Sequence, residues 1–257
     1  MDPATIIGLV LGFGAIMGSM VMEGGNPAAI IAPPALVLIF AGTLGAVMAG
    51  NTLPSTIAGF KWLIYGFTAK KADLESVVEP LVKMAEKARR EGLLALESEM
   101  ETVDDEFMRR GLQMAVDGTD PDDLYEILAA EVKAKKASAK VGASFWTDAG
   151  GYAPTIGIIG TVIGLVHVLE NLSDPSKLGH LIAGAFVATL WGVLTANVLW
   201  LPMGNKLKRL SEIECAQMEL VIAGIINIQA GANPRVVAQK LRSLLPPGAS
   251  KEKEKAA

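Results

Sequence analysis

Apolar and polar positions along this chain fall into two pairs of long uncharged stretches, separated by a segment dense in charge. The stretches run over Ala4–Met22, Ala28–Gly50, Ala149–Leu169 and Leu178–Met203, and none contains Asp, Glu, Lys or Arg. Each matches the ~20 apolar residues that a helix needs to cross a bilayer core. Backbone groups in lipid must be paired within the span, so the stretches are expected to be helices. The pattern predicts an all-α integral membrane protein with four transmembrane helices and a helical cytoplasmic domain between spans two and three. The expected segments are 1–54 for spans one and two, 55–148 for the cytoplasmic domain and 149–204 for spans three and four. C-terminal cytoplasmic helices follow over 205–247, then a disordered Lys/Glu-rich tail over 248–257.

Within the charged segment, Leu74, Val77, Val78, Leu81, Val82, Ala85 and Ala88 recur at helical spacing and predict an amphipathic helix over Asp73–Arg90, broken by Gly92. A second helix is expected over Leu93–Val116, with Leu96, Met100, Val103, Phe107 and Met114 buried. A third begins at Asp120-Pro121, where Asp120 suits the cap and Pro121 the first helical position, and runs towards span three. After span four the helix is expected to continue through Leu207 and Ile225. Asn233-Pro234 then restart a short helix with Val236, Val237, Leu241 and Leu244 on its apolar side.

Inside the spans, small residues recur at four-residue spacing: Gly8/Gly12 and Gly14/Gly18 in span one, Gly160/Gly164 in span three, and Gly184, Ala188, Gly192 and Ala196 in span four. Such stripes let helices approach closely in lipid. Pro33 and Pro34 open span two, whereas Pro154 and Pro202 lie where each removes a helix donor. Polar residues in spans three and four are few, among them Tyr152, Thr155, Thr161, His167, Thr189, Thr195 and Asn197. A threonine in such a place ordinarily bonds its own helix backbone.

Charge sets the orientation. The link after span one carries no Lys or Arg and the link after span three only Lys177, whereas Lys61, Lys70, Lys71, Lys206, Lys208 and Arg209 lie in the large loop and the tail. The positive-inside rule puts the loop and both termini in the cytoplasm. The first stretch lacks a basic start and has a long apolar part, which favours a retained span over a cleaved signal. A net charge of −4 argues against a nucleic-acid partner.

No catalytic constellation stands out. The one cysteine, Cys215, and the two histidines lie far apart, with no metal-ligand spacing and no phosphate-binding loop, so neither an enzyme nor a cofactor is expected. An ion carrier normally needs an ionisable group near mid-membrane, and these spans supply none. If the chain helps ions across, another polypeptide brings the titrating carboxylate.

Four motifs carry a resemblance over nearly the whole chain. They are Ala153-Pro154-Thr155-Ile156-Gly157-Ile158-Ile159-Gly160-Thr161-Val162-Ile163-Gly164-Leu165; Ala188-Thr189-Leu190-Trp191-Gly192 with Asn197 and Pro202; Ala88-Arg89-Arg90-Glu91-Gly92-Leu93-Leu94-Ala95-Leu96-Glu97; and Asn233-Pro234-Arg235. Together they resemble the MotA family of flagellar stator subunits, within the wider MotA/TolQ/ExbB group. The resemblance implies a ring of five subunits around a dimer of a single-span MotB-like partner, which brings the intramembrane aspartate and a peptidoglycan-binding domain. It also implies that the cytoplasmic domain pushes the rotor protein FliG.

By that resemblance Thr161, Thr189, Pro154 and Pro202 belong to the ion pathway, and Arg89, Arg90 and Glu97 to the rotor contact. Sodium-driven relatives tend to carry a Thr-Thr pair where this chain has Ala188 and Thr189, so protons are the expected ion and sodium the alternative. Two other readings stay open: an ExbB- or TolQ-like energiser of envelope proteins, disfavoured by two apolar stretches before the loop, and a non-conducting membrane scaffold.

Overall fold

The computed structural model describes residues 3–69 and 73–246, and all the regular structure among them is helical. The tail expected to be disordered at 248–257, and Lys70 and Lys71, lie outside the described residues. Ten α-helices follow in order: α1 (Pro3–Met22), α2 (Pro33–Ala49), α3 (Leu53–Thr68), α4 (Leu74–Glu91), α5 (Glu97–Met100), α6 (Glu106–Val116), α7 (Pro121–Glu170), α8 (Pro175–Thr195), α9 (Leu201–Gln229) and α10 (Pro234–Ser243). The described residues form two compact units, one from 3–69 with 138–209 and one from 73–137 with 210–246.

The first unit holds the apolar helices. Three are long and apolar enough to cross a membrane: α1, α7 and the run Pro175–Gln229. The remaining expected span, span two, is shorter than the sequence suggested. Its first residues form a 3-10 turn over Pro27–Ile30, capped by the Asn26 side chain, and α2 starts only at Pro33. The double proline explains the break, because Pro33 holds Ala32 extended at φ −106° and ψ 105°. The turn is pinned to α8 by Trp191, whose Nε1 donates to Ile30 O at 2.7 Å.

Helix α3 lies in this unit, not with the charged helices that follow it. Its Gly59 and Gly66 lie under Phe145 and Leu207 so closely that a Cβ would come within 2.7 and 2.6 Å of their side chains. Trp146 donates to Gly59 O at 2.9 Å and stacks on Trp200, with ring centroids 5.6 Å apart. By contrast α1 has no buried residue; within the chain Gly12 lies against Val198, whereas a Cβ on Gly8, Gly14 or Gly18 would meet no atom of this chain within 4 Å.

Span four contains a widened π turn at Ala196–Trp200, which ends two residues before Pro202. Proline cannot donate to the carbonyl four residues back, and its ring crowds that carbonyl. One extra residue in the turn relieves the crowding and shifts the Leu201 N–H onto Ala196 O.

The second unit is a helical domain around Leu81, Leu96, Leu112, Leu128, Ile225 and Leu241. Helix α4 matches its predicted range, and Gly92 ends it with φ +87°, a conformation open chiefly to glycine. The helix expected over Leu93–Val116 is in fact three pieces: a 3-10 turn over Leu93–Leu96, then α5, then α6. Asp105 causes the restart by accepting the Met108 N–H at 3.0 Å. Asp120 caps α7 through the Asp122 N–H, and α7 then runs unbroken for 50 residues. In α10, Val237 and Leu241 are buried as predicted, whereas Val236 and the cap residue Leu244 are exposed.

Candidate ion-path and rotor-contact residues

Spans three and four touch through glycine and alanine. A Cβ on Gly160 would stand 2.6 Å from Ala188 Cβ, one on Gly164 2.5 Å from Ala185 Cβ, and one on Gly192 2.6 Å from Ala153 O. Gly157 completes the seam, 3.0 Å from Ala188 O and Thr189 Cα by the same measure. Four-residue spacing found Gly160, Gly164, Ala188 and Gly192; the three-residue step back from Gly160 to Gly157 was the missed signal. Gly184, expected in the same stripe, meets nothing within 4 Å.

This approach brings Thr161 and Thr189 together. Their hydroxyls hydrogen-bond to each other, and both reach Gly157 O, at 3.2 Å from Thr161 and 3.1 Å from Thr189. Thr161 also reaches Ala185 O at 3.2 Å. Two hydroxyl hydrogens therefore meet several oxygen acceptors inside the seam, so lone pairs are what the pair has to spare. Thr155 and Thr195 bond only their own helix, to Tyr152 O at 2.8 Å and Trp191 O at 2.7 Å.

Pro154 is half-buried inside α7, next to the Ala153 carbonyl that touches Gly192. Pro202 is exposed, just beyond the π turn. Asn197, inside that turn, is exposed and donates from Nδ2 to Val193 O at 2.9 Å. His167 pairs with Glu170 at 3.2 Å at the end of α7. In the link that follows, hydrogen bonds from Ser176 and Lys177 hold the Asp174 carboxyl below its ordinary range.

In the second unit Arg89 and Arg90 are exposed on the last turn of α4, where cations suit the helix dipole, and Glu97 is exposed at the start of α5. Lys135 pairs with Glu214 at 2.9 Å; burial nevertheless raises the Glu214 carboxyl above its usual range. Among the described residues no group of three or more His, Cys, Asp or Glu is placed to hold a metal ion.

Comparison with known proteins agrees along the whole chain. The Motility protein A N-terminal family model matches residues 6–92, and the MotA/TolQ/ExbB proton channel family model matches residues 99–220. Motility protein A of Bacillus subtilis is 40% identical over 249 residues, 96% of this chain and 92% of that protein. The Helicobacter pylori protein of the same name is 34% identical over 99% of both chains. Among solved structures, C. jejuni MotAB matches with a TM-score of 0.93 at 30% identity, covering 100% of this chain and 99% of that one. The flagellar MotAB stator complex from Bacillus subtilis matches with a TM-score of 0.88 at 40% identity, covering 95% and 96%. The all-helical membrane unit, the glycine seam and these full-length likenesses together make the chain a member of the MotA/TolQ/ExbB proton channel family, in its motility protein A branch.

Proposed function

We propose that this chain is a stator subunit of the bacterial flagellar motor, which forms an ion channel with a MotB-like partner and couples ion flow to torque on the rotor. The full-length likeness to solved MotAB complexes is the observation that carries this reading. The chemistry agrees with it: the apolar stretches hold no acid, so the titrating carboxylate comes from the partner's single span. Thr161 and Thr189 face that carboxylate with their oxygen lone pairs, and Pro154 and Pro202 loosen the helices that carry them. Protons are the transported ion, because Ala188 leaves one hydroxyl fewer for a dehydrated sodium ion.

In the same reading α2 crosses the membrane as span two, beside the three longer apolar helices. At about 1.5 Å per residue its 17 residues are near the lower limit for crossing, helped by the turn at Pro27–Ile30. The protein lies in the bacterial inner membrane, with the second unit and both termini in the cytoplasm, as the excess of Lys and Arg there supports. Five copies surround the partner dimer, and lipid covers the remaining apolar surface. Arg89, Arg90 and Glu97 contact FliG. Exposed ion pairs of this kind contribute about 0–1 kcal/mol each, while one charge moving through 100 mV releases about 2.3 kcal/mol, so the contacts can be broken at every step.

The test is co-expression with a MotB-like partner, its channel unplugged, while cytoplasmic pH is followed. Acidification is expected with the partner and not without it. Assembly with no flux under proton or sodium gradients supports the scaffold reading instead. The ExbB- or TolQ-like alternative has less support, since the N-terminal match is to a motility protein A model.

A further inference from the structure

The π turn in span four leaves one residue with two oxygen acceptors to spare. In an α-helix the carbonyl of Asn197 would receive the Leu201 N–H, but that N–H goes to Ala196 O. In the widened turn it would receive the N–H of residue 202, which is Pro202 and has none. The Asn197 main-chain oxygen is therefore passed over by both helix patterns. Its side chain adds a second acceptor: one Nδ2 hydrogen goes to Val193 O at 2.9 Å, which turns the amide so that Oδ1 is offered beside the main-chain oxygen.

Asn197 is exposed, and it lies inside an apolar helix long enough to cross a membrane. A carbonyl in that position has no place against lipid, where nothing can donate to it. Residues nearby on the exposed face of α8 include Phe186, Leu190 and Val193, all apolar, so the oxygens of Asn197 are an isolated polar step on that surface. The step is about 12 Å beyond Thr189 towards α9, at 1.5 Å per residue.

We propose that Asn197 O and Oδ1 form a second stopping point for the ion on the α9 side of the threonine pair, taking a hydrated proton or a small monovalent cation through oxygen contacts. The proposal rests on the ion-channel reading above. Broken membrane helices use freed carbonyls in this way, and the break here is built by Pro202. Thr161 and Thr189 receive the ion beside the partner's carboxylate; Asn197 receives it as it leaves that carboxylate or before it arrives. A proton or sodium ion would use the same two oxygens, and the gradient applied in the test separates them.

Two measurements on the full chain assembled with its partner decide the matter. In the first, Asn197→Cys and Ile163→Cys are treated with a charged, membrane-impermeant thiol reagent in a background where buried Cys215 is replaced by Ala; Ile163 is an exposed apolar position on α7. Reaction at residue 197, faster than at residue 163 by about tenfold or more, is expected, since only a hydrated thiol ionises and reacts. Equal, slow labelling at both positions overturns the proposal, and it does so whether or not the wild type conducts.

In the second, flux is compared for wild type, Asn197→Leu and Asn197→Ser under a proton gradient and, separately, a sodium gradient. Loss of about tenfold in Asn197→Leu, with partial recovery in Asn197→Ser, is expected for one lost oxygen contact. Unchanged flux in Asn197→Leu sinks the inference while leaving the channel intact. A wild type that assembles but conducts neither ion counts against the channel reading itself.

Discussion

Thr161 on α7 and Thr189 on α8 hydrogen-bond to each other, and both reach the carbonyl of Gly157. Thr161 keeps the ordinary bond to its own helix at Gly157 O but also reaches Thr189 and Ala185 O across the seam, and Thr189 reaches Gly157 O on the facing helix. The pair exists because Gly157, Gly160 and Gly192 have no side chain to hold the helices apart. Packing thus comes first, and the oxygen cluster is its product.

Replacing Thr189 by Val keeps the volume and removes the oxygen. Thr161 retains Gly157 O and Ala185 O as acceptors, so the seam should remain closed. Flux through the complex is expected to fall by about tenfold, the scale of one lost hydrogen bond, while the amount of assembled complex stays constant. Membrane vesicles loaded with a pH dye give the flux, and size-exclusion chromatography gives the assembly. Undiminished flux would return Thr189 to a purely structural role.

The glycine seam predicts a different outcome for Gly164→Ala. The new methyl would stand 2.5 Å from Ala185 Cβ and 2.8 Å from its Cα, so the helix itself must move. Overpacking of this kind typically costs about 1–3 kcal/mol. The detergent-solubilised protein should melt at a lower temperature than wild type, whereas Gly8→Ala, with nothing within 4 Å, should match it in the isolated chain. Equal melting of both variants would mean that the seam is looser than these distances imply.

How much of this was legible in the sequence depends on which force decides each element. Helix α4 was readable because Val77, Val78, Leu81 and Ala85 all serve one buried face and no local signal opposes them. The segment after it was not. Leu96, Met100 and Phe107 keep an apolar rhythm across a place where the chain in fact breaks, and the break is set by one side chain, the Asp105 cap. Charge patterning likewise missed α3, whose burial depends on Gly59 and Gly66 fitting under Phe145 and Leu207. The threonine pair was reached through family motifs, because spacing alone cannot show that residues so far apart in sequence share a carbonyl. The π turn leaves no mark on composition; only Pro202 hinted at it.

Glu214 gives the second unit a pH dependence of definite sign. Burial raises its carboxyl above its ordinary value of 4.5, so across the interval above that value the folded state holds more proton than the unfolded one. Stability contributed by the protonated acid is full below 4.5 and is lost as pH rises through the folded-state value. Glu214→Gln should flatten the dependence of melting temperature on pH in this interval. Lys135→Ala should steepen it, because Lys135 is the cation 2.9 Å from the carboxylate. A Glu214→Gln variant with the wild-type pH profile would place the titrating group elsewhere.

The rotor contact calls for variants that alter charge but not fold. Arg89, Arg90 and Glu97 are all exposed, and the chain turns between them at Gly92, where the backbone is left-handed at φ +87°. Reversal to Glu at either arginine places an acid at the C-terminal end of α4, where the helix dipole disfavours it by about 0.3–1 kcal/mol. That is too little to unfold a domain whose core includes Leu81, Leu96 and Leu112 at 0% exposure. Arg89→Glu with Arg90→Glu, and Glu97→Lys, are therefore expected to insert and assemble normally yet to slow swimming. Losses of about 0–1 kcal/mol per exposed pair make single reversals mild and the combined reversal severe. Swimming speed in soft agar, read beside membrane abundance, separates the two effects. A compensating charge reversal on the rotor should restore motility in the reversed stator, an outcome that general misfolding could not produce. Normal swimming in the triple variant would remove these residues from the contact.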